Sequence, residues 1–288
     1  MTIPALEVEH AYRGCERITR HEAANFFYGI RLLPQPKRHA MSAAYAFARR
    51  VDDIGDGDLE HADKLEALAE MRSRLATVPL GGTLGDPITI ALAHAHERYE
   101  LPLDALELLI DGVEMDVRET TYETFDELVT YCRAVAGSVG RLCLAIFEGG
   151  AARDEESVRL ADDLGVAMQL TNILRDVRED HECGRVYVPA EDLRRFGCEG
   201  LPEVPSAQAA PLITFEAARA ADWFDRGLGL VDVLDSRSAS CVLAMTGIYR
   251  SILDRIVACP ETVLSRRISL PAWEKAWLAA RSVAGARA

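Results

Sequence analysis

Apolar residues recur at steps of three and four along almost the whole chain. That period is the signature of amphipathic or buried α-helix and leaves little room for sheet. Leu65, Leu68, Met71 and Leu75 form one stripe, and Leu106, Leu109, Ile110 and Val113 another. A third begins at Leu160, Leu164, Ala167 and Met168 and runs on to Ile173, Leu174 and Val177. Ala, Leu, Glu and Arg, all good helix formers, dominate between them. Strict apolar–polar alternation, the mark of a strand, is nearly absent. Breakers separate the stripes: Leu32-Leu33-Pro34-Gln35-Pro36, Gly81-Gly82, Leu101-Pro102, Gly149-Gly150, and a stretch from Gly200 to Pro211 with three prolines. The pattern predicts eight to twelve helices. No linker is long or polar enough to mark a boundary, and no internal repeat appears. Residues 1–288 are therefore expected to form a single all-α domain, a helical bundle.

The chain is 49% hydrophobic and 27% charged, a balance that supports a full core and excludes disorder. Its 32 basic against 46 acidic residues give a net charge of −14, which argues against a nucleic-acid partner. Carboxylates can still hold metal ions that in turn hold phosphates. The seven cysteines are odd in number and form no Cys-x-x-Cys pair, so neither a disulfide framework nor a zinc site is expected. Reduced thiols and the lack of a basic–apolar leader at the start point to the cytoplasm. The longest uncharged runs, such as Ser238 to Tyr249, have 12 residues, against about 20 for a membrane span.

Two segments stand out. Arg49-Arg50-Val51-Asp52-Asp53-Ile54-Gly55-Asp56 is echoed by Leu174-Arg175-Asp176-Val177-Arg178-Glu179-Asp180. Each holds two aspartates four apart, so Asp52 should share a helix face with Asp56, and Asp176 with Asp180. Like charges at that spacing repel, and solvent, basic neighbours or a cation must compensate. A single Asp-x-x-x-Asp usually marks only a solvated face. Here each pair emerges from apolar sequence, Met41 to Ala48 in one case and Leu164 to Leu174 in the other. Gln169, Asn172, Asp176 and Asp180 would continue as a polar stripe along an otherwise apolar helix, and buried polar groups need partners. Two such pairs facing one cavity would make a diphosphate trap, because Mg²⁺ takes oxygen ligands from a few carboxylates plus substrate phosphates.

These residues carry a resemblance. The segment from Tyr45 to Asp56 resembles the first aspartate-rich signature of the squalene/phytoene synthase family, and that from Gln169 to Asp180 resembles the second. Tyr131 to Gly140 and Gly184 to Pro189 are similar to two further motifs of the family, so the likeness extends from about Tyr12 to Tyr249. Four ordered motifs are far more specific than either Asp pair alone. Within the family, Asn25 to Pro34 and the segment ending at Gly57 look most like the presqualene diphosphate synthases of the hopanoid pathway. Where several relatives carry Ser before the Phe of the first of these, this chain has Asn25, so hydroxyl contacts there do not carry over.

The resemblance implies an isoprenoid-synthase bundle with a central cavity. It also implies a prenyltransferase that couples two farnesyl diphosphates head to head into presqualene diphosphate, without NADPH for that half-reaction. Asp52, Asp56, Asn172, Asp176 and Asp180 would hold Mg²⁺, a Lewis acid for the leaving diphosphate. Arg49 and Arg175 would bind phosphate oxygens, and Gln169 with Asn172 would fix metal or water geometry. The apolar walls would keep water from the allylic cation. Tyr131 is the family's candidate for assisting proton loss, or else a buried tyrosine with one hydrogen bond. Tyr249 either contacts substrate or is a core aromatic. Arg185 and Tyr187 either close over the diphosphates or cap a helix. Gly137 and Gly140 suit close approach. The seven histidines take ordinary roles; His94 and His96, two apart, do not share a face.

Rival readings remain open. A di-iron carboxylate bundle wants Glu-x-x-His twice, and this chain has it once, at Glu7 and His10. A helical scaffold leaves the polar stripes unexplained. Inside the family, a phytoene synthase would take geranylgeranyl diphosphate, and a full squalene synthase would add NADPH. The expected partners are prenyl diphosphates, a downstream squalene-forming enzyme and, given the greasy product, peripheral contact with a membrane.

Overall fold

The computed structural model describes residues 4–149 and 154–286. Gly150, half of one expected breaker, lies outside the described residues. Fourteen α-helices and no strand occur among those described. In chain order they are α1 (Ala5–Glu22), α2 (Phe26–Ile30), α3 (Gln35–Asp56), α4 (His61–Leu75), α5 (Pro87–Tyr99), α6 (Leu103–Val117) and α7 (Phe125–Cys132). They continue as α8 (Ser138–Glu148), α9 (Glu155–Arg175), α10 (Val177–Glu182), α11 (Ala190–Phe196), α12 (Ser206–Gly227), α13 (Ser236–Ala258) and α14 (Ala272–Gly285). The expected eight to twelve falls short because α2, α7, α10 and α11 are too short to show a periodic stripe.

Local chemistry sets the starts. The Asp86 carboxylate accepts from the Ile88 N–H, Asp154 from Ser157, and Asp235 from Arg237 and Ser238. Thr124 and Glu127 form a reciprocal capping box on α7. Glu100 ends α5 in the left-handed region at φ 49°.

The centre of the bundle is α9. Every residue from Leu160 to Met168 is buried, so this stretch of the helix has no solvent face and its neighbours must surround it. It is covered by α12, α8, α13 and α7. At one end α1 packs on α3 and α5, and at the other α14 packs on α13. Between α7 and α8 the chain makes one π-helical turn, Arg133–Gly137, in which the Ser138 N–H reaches back five residues to the Arg133 carbonyl. Close backbone contact then locks this region to α9. A Cβ on Gly140 would stand 2.3 Å from the Ala161 carbonyl oxygen, and one on Gly165 would stand 2.4 Å from that of Ala136. Gly140 is there for approach, as the sequence suggested, and Gly165, which the sequence reading did not single out, serves the same end.

Three expectations need correction. The proline-rich loop ends at Pro205, not Pro211: Pro211 sits inside α12, which loses one helical hydrogen bond there yet is held by its packing on α9. The second aspartate pair does not lie on one straight helix. α9 stops at Arg175, Asp176 is the junction, and Asp180 belongs to α10. The Asp180 N–H still bonds the Asp176 carbonyl at 2.8 Å, so the turn persists across the break. Finally, the joined segment Phe125–Glu148 is, by length and composition alone, apolar enough to cross a membrane, but 56% of its most apolar 18-residue window is buried inside the bundle, as befits a core helix.

Candidate active site

Two helices present matching stripes to one cavity of about 220 Å³. From α3 come Met41, Ala44, Tyr45, Ala48 and Asp52; from α9 come Ala161, Leu164, Gly165, Met168, Gln169 and Asn172. Both sets step by three and four, and both turn polar only at the C-terminal end of the helix. The other walls are apolar: Phe26 and Ile30 from α2, Val135 and Ala136 from the π turn, Phe147 from α8 and Met245 from α13, among others. A long hydrocarbon fits such a space, with its polar head toward Asp52 and Asn172.

Electrostatics at the polar end are strained by design of the sequence. Burial, with the nearby Asp56 carboxylate, pushes Asp52 up to about 7. Burial, with Asp176, pushes Asp180 up to about 7 as well. Burial also raises Asp116, which the tyrosine hydroxyls and Arg185 partly offset. Asp116 contributes repulsion to both Asp52 and Asp180, so the two acidic segments and α6 converge on one region. The Asn172 side-chain oxygen is buried and has no hydrogen-bond partner among the described residues, while its amide donates to Gln169 at 3.2 Å.

Arginines ring this end. Arg185 donates to Asp56 at 2.8 Å and to the Gly55 carbonyl at 3.2 Å, closing the last turn of α3. Arg175 donates its Nε–H to Asp176 at 2.7 Å and lies beside Tyr249. Arg267, just before α14, reaches Asp176 at 3.0 Å and Glu179 at 3.2 Å. Arg49 pairs with Asp53 at 2.7 Å, and its buried Nε has no hydrogen-bond partner among the described residues.

Of the residues singled out in the sequence, Asp52, Gln169 and Asn172 line the cavity. Asp56, Asp176, Asp180, Arg49, Arg175 and Arg185 are not in its wall; Asp56 and Arg49 act on the Asp52 carboxylate, and Asp176 and Arg185 on that of Asp180. Tyr249 is buried against Phe26, ring centres 5.8 Å apart. Tyr131 is buried off the cavity wall and donates to Asp116 at 2.9 Å. Tyr187 donates to the other Asp116 oxygen at 2.8 Å and stacks on Tyr131 at 5.1 Å. Burial and Asp116 hold the Tyr131 hydroxyl well above its ordinary value, so it keeps its proton. The stretch from Arg185 to Tyr187 therefore straps α3 to α6. The histidines have ordinary roles: His94 meets the Tyr12 hydroxyl, and His96 the Leu101 carbonyl, each at 2.9 Å.

Asp116 escaped the sequence reading. Its signal was present, because Leu109, Gly112, Val113 and Asp116 continue one face of α6, a carboxylate at the end of an apolar stripe as in α3.

Every side-chain donor that Asp52, Asp56, Asn172, Asp176 and Asp180 could offer a cation is oxygen, the set that suits Mg²⁺. The repulsion at Asp52 and Asp180 and the orphaned Asn172 oxygen are what such an ion relieves. Among the described residues no three acidic, His or Cys side chains already converge on one point. Asp56 and Asp176 face arginines instead.

A squalene/phytoene synthase family model matches residues 19–274. The phytoene synthase of Mycobacterium bovis is 46% identical over 284 residues, 96% of this chain and 92% of that protein. Among solved structures, a ligand-bound dehydrosqualene synthase superposes with a TM-score of 0.89 at 26% identity, covering 99% of both chains. The squalene synthase HpnC of Alicyclobacillus acidocaldarius superposes at 0.80 with 30% identity, over 92% of this chain and 98% of that one.

Proposed function

This chain belongs to the squalene/phytoene synthase family, whose reaction is head-to-head prenyl condensation, and from that premise we propose that it joins two farnesyl diphosphates into presqualene diphosphate. The observation that supports the shorter chain is the length of the apolar stripe. Asp52 to Met41 on α3 and Asn172 to Ala161 on α9 are both eleven residues, about 16 Å of helix. An extended farnesyl chain spans about 14 Å and a geranylgeranyl chain about 19 Å, from roughly 1.25 Å of advance per carbon–carbon bond. A farnesyl chain is shorter than that span and a geranylgeranyl chain longer, which supports the C15 reading.

Asp52, Asp56, Asn172, Asp176 and Asp180 would hold Mg²⁺, which when bound supplies Lewis-acid stabilisation of the departing diphosphate. Arg49, Arg175 and Arg185 bind phosphate oxygens by charge-assisted hydrogen bonds. The walls from α2, α3, α8 and α9 exclude water from the allylic cation. Tyr131 keeps its proton at Oη, donated to Asp116, so the proton lost on cyclopropane closure goes to the released diphosphate, and Tyr131 assists by fixing Asp116. We place this activity in one domain, 1–288, in the cytoplasm, passing its product to a squalene-forming enzyme.

The competing substrate is geranylgeranyl diphosphate, favoured by the name of the Mycobacterium bovis relative. Mass spectrometry of products from purified protein, Mg²⁺ and each diphosphate separates the readings. A C30 cyclopropyl diphosphate that persists with NADPH is expected. Squalene formed only with NADPH makes the protein a full squalene synthase, and a C40 product alone makes it a phytoene synthase.

A further inference from the structure

The outer face of α14 is apolar and open to solvent. Trp273 and Trp277, one turn apart, are 71% and 53% exposed. Ala272, Ala276, Ala280 and Ala284 are exposed beside them, and the guanidinium of Arg281 lies 5.4 Å from the Trp277 ring centre. The opposite face, with Ala279 and Ser282, is buried on the bundle. Exposed tryptophans on one side of a helix are an unpaired apolar surface, not random scatter.

We propose that this face docks on the interface of an anionic lipid bilayer. Three observations select that occupant. First, residues 265–288 carry five basic side chains and one acidic, while the rest of the chain carries 27 basic and 45 acidic. The one acid, Glu274, is already paired with Arg255 at 2.5 Å. Arg267 is engaged by Asp176 and Glu179, and Lys275 by the Ala24 carbonyl, so the positive charge that stands on this face is Arg281 beside Trp277. In a strongly acidic protein that local charge is the complement of an anionic membrane surface. Second, the face is small. Fourteen residues of helix give about 21 Å by about 10 Å, a footprint of roughly 200 Å². A stable protein interface needs about 800 Å² per partner. An in-plane helix needs only shallow insertion of tryptophan and small residues. Third, the helix that carries the face is one layer from the cavity wall. α14 packs on α2, whose Phe26 and Ile30 line the cavity wall, and Lys275 donates to the Ala24 carbonyl at 3.3 Å. Arg267, just ahead of α14, holds Asp176. The proposal is independent of which chain length is used.

The test is flotation with phosphatidylcholine vesicles, with and without phosphatidylglycerol, followed also by tryptophan emission and quenching with brominated lipid. The wild-type protein should float with the anionic vesicles, and its emission should move to the blue. The W273S/W277S variant should partition about tenfold less or weaker still. Its remaining Trp223, which is buried, should not respond to vesicles. R281Q should bind about fivefold less. Turnover of detergent-dispersed substrate should stay at the wild-type rate in both, which certifies the fold and separates this idea from the assignment of activity. Wild-type protein that does not float overturns the proposal, as does a double variant that floats equally well. A doubled mass in sedimentation that W273S/W277S abolishes, without vesicle binding, makes the face a contact between two copies and also overturns it.

Discussion

Replacing Asp52 by Asn should make the metal-free protein more stable at pH 8 and at the same stroke inactive. An ordinary Asp titrates at 3.8, while burial and the Asp56 charge lift Asp52 to about 7. At about 1.4 kcal/mol per tenfold, holding this group ionised in the native state costs about 4 kcal/mol. Between pH 4 and 7 the folded protein binds more protons here than the unfolded chain, so stability falls as pH rises, and the loss levels off above about pH 7. Asn has the same shape without the charge and avoids that cost. The advantage of D52N in urea unfolding with EDTA should therefore be near zero at pH 4, grow with pH, and reach a plateau of at most about 4 kcal/mol above pH 7. Added Mg²⁺ should raise the melting temperature of the wild type and leave that of D52N little changed. An advantage independent of pH, or a D52N protein that Mg²⁺ stabilises as strongly as the wild type, would refute the reasoning.

Three other predictions can be checked with the same purified protein. Asp116→Ala removes the acceptor of two tyrosine hydroxyls and should cost about 2–4 kcal/mol in urea unfolding, with a matching fall in kcat; D116N, which keeps an acceptor, should recover most of the stability but little of the rate. Gly140→Ala sets a Cβ at 2.3 Å from the Ala161 carbonyl and should lower the melting temperature by several degrees, whereas Gly14→Ala in the middle of α1, with nothing within 4 Å, should gain about 0.5–1 kcal/mol. Met41→Ala lengthens the apolar stripe beyond its present limit, and competition between C15 and C20 diphosphates should move toward the C20 substrate by mass spectrometry of products.

The helical architecture was legible because nearly every helix is a period-3.6 stripe with a chemical stop. The mouth of the cavity was legible for a related reason: a carboxylate or amide at the end of an apolar stripe is costly unless it faces a ligand, and Asp52, Gln169 and Asn172 all do lie there. Asp116 obeys the same rule but has Thr120 four residues on instead of a second acid, so a search for paired acids passes over it. The break at Asp176 had no local signal. Its carboxylate is held by Arg175 and by Arg267 from 91 residues further on, a contact that only the folded chain supplies. The helix through Pro211 was hidden for the same reason, since packing on α9 outweighs one lost hydrogen bond.

The π turn at Arg133–Gly137 acts as a gear with one extra tooth. Each helical residue advances the chain by about 100° around its axis, so inserting one turns everything downstream by that amount relative to everything upstream. Upstream is Tyr131, aimed at Asp116; downstream are Val139, Gly140 and Cys143, aimed at the cavity. The extra residue lets one continuous rod serve two clients on different bearings. Deleting any one residue of the turn would restore an ordinary helix and force a choice, because either the tyrosine or the cavity wall would swing away by a quarter of a circle. Length at this point is therefore expected to be far less tolerant of change than side-chain identity.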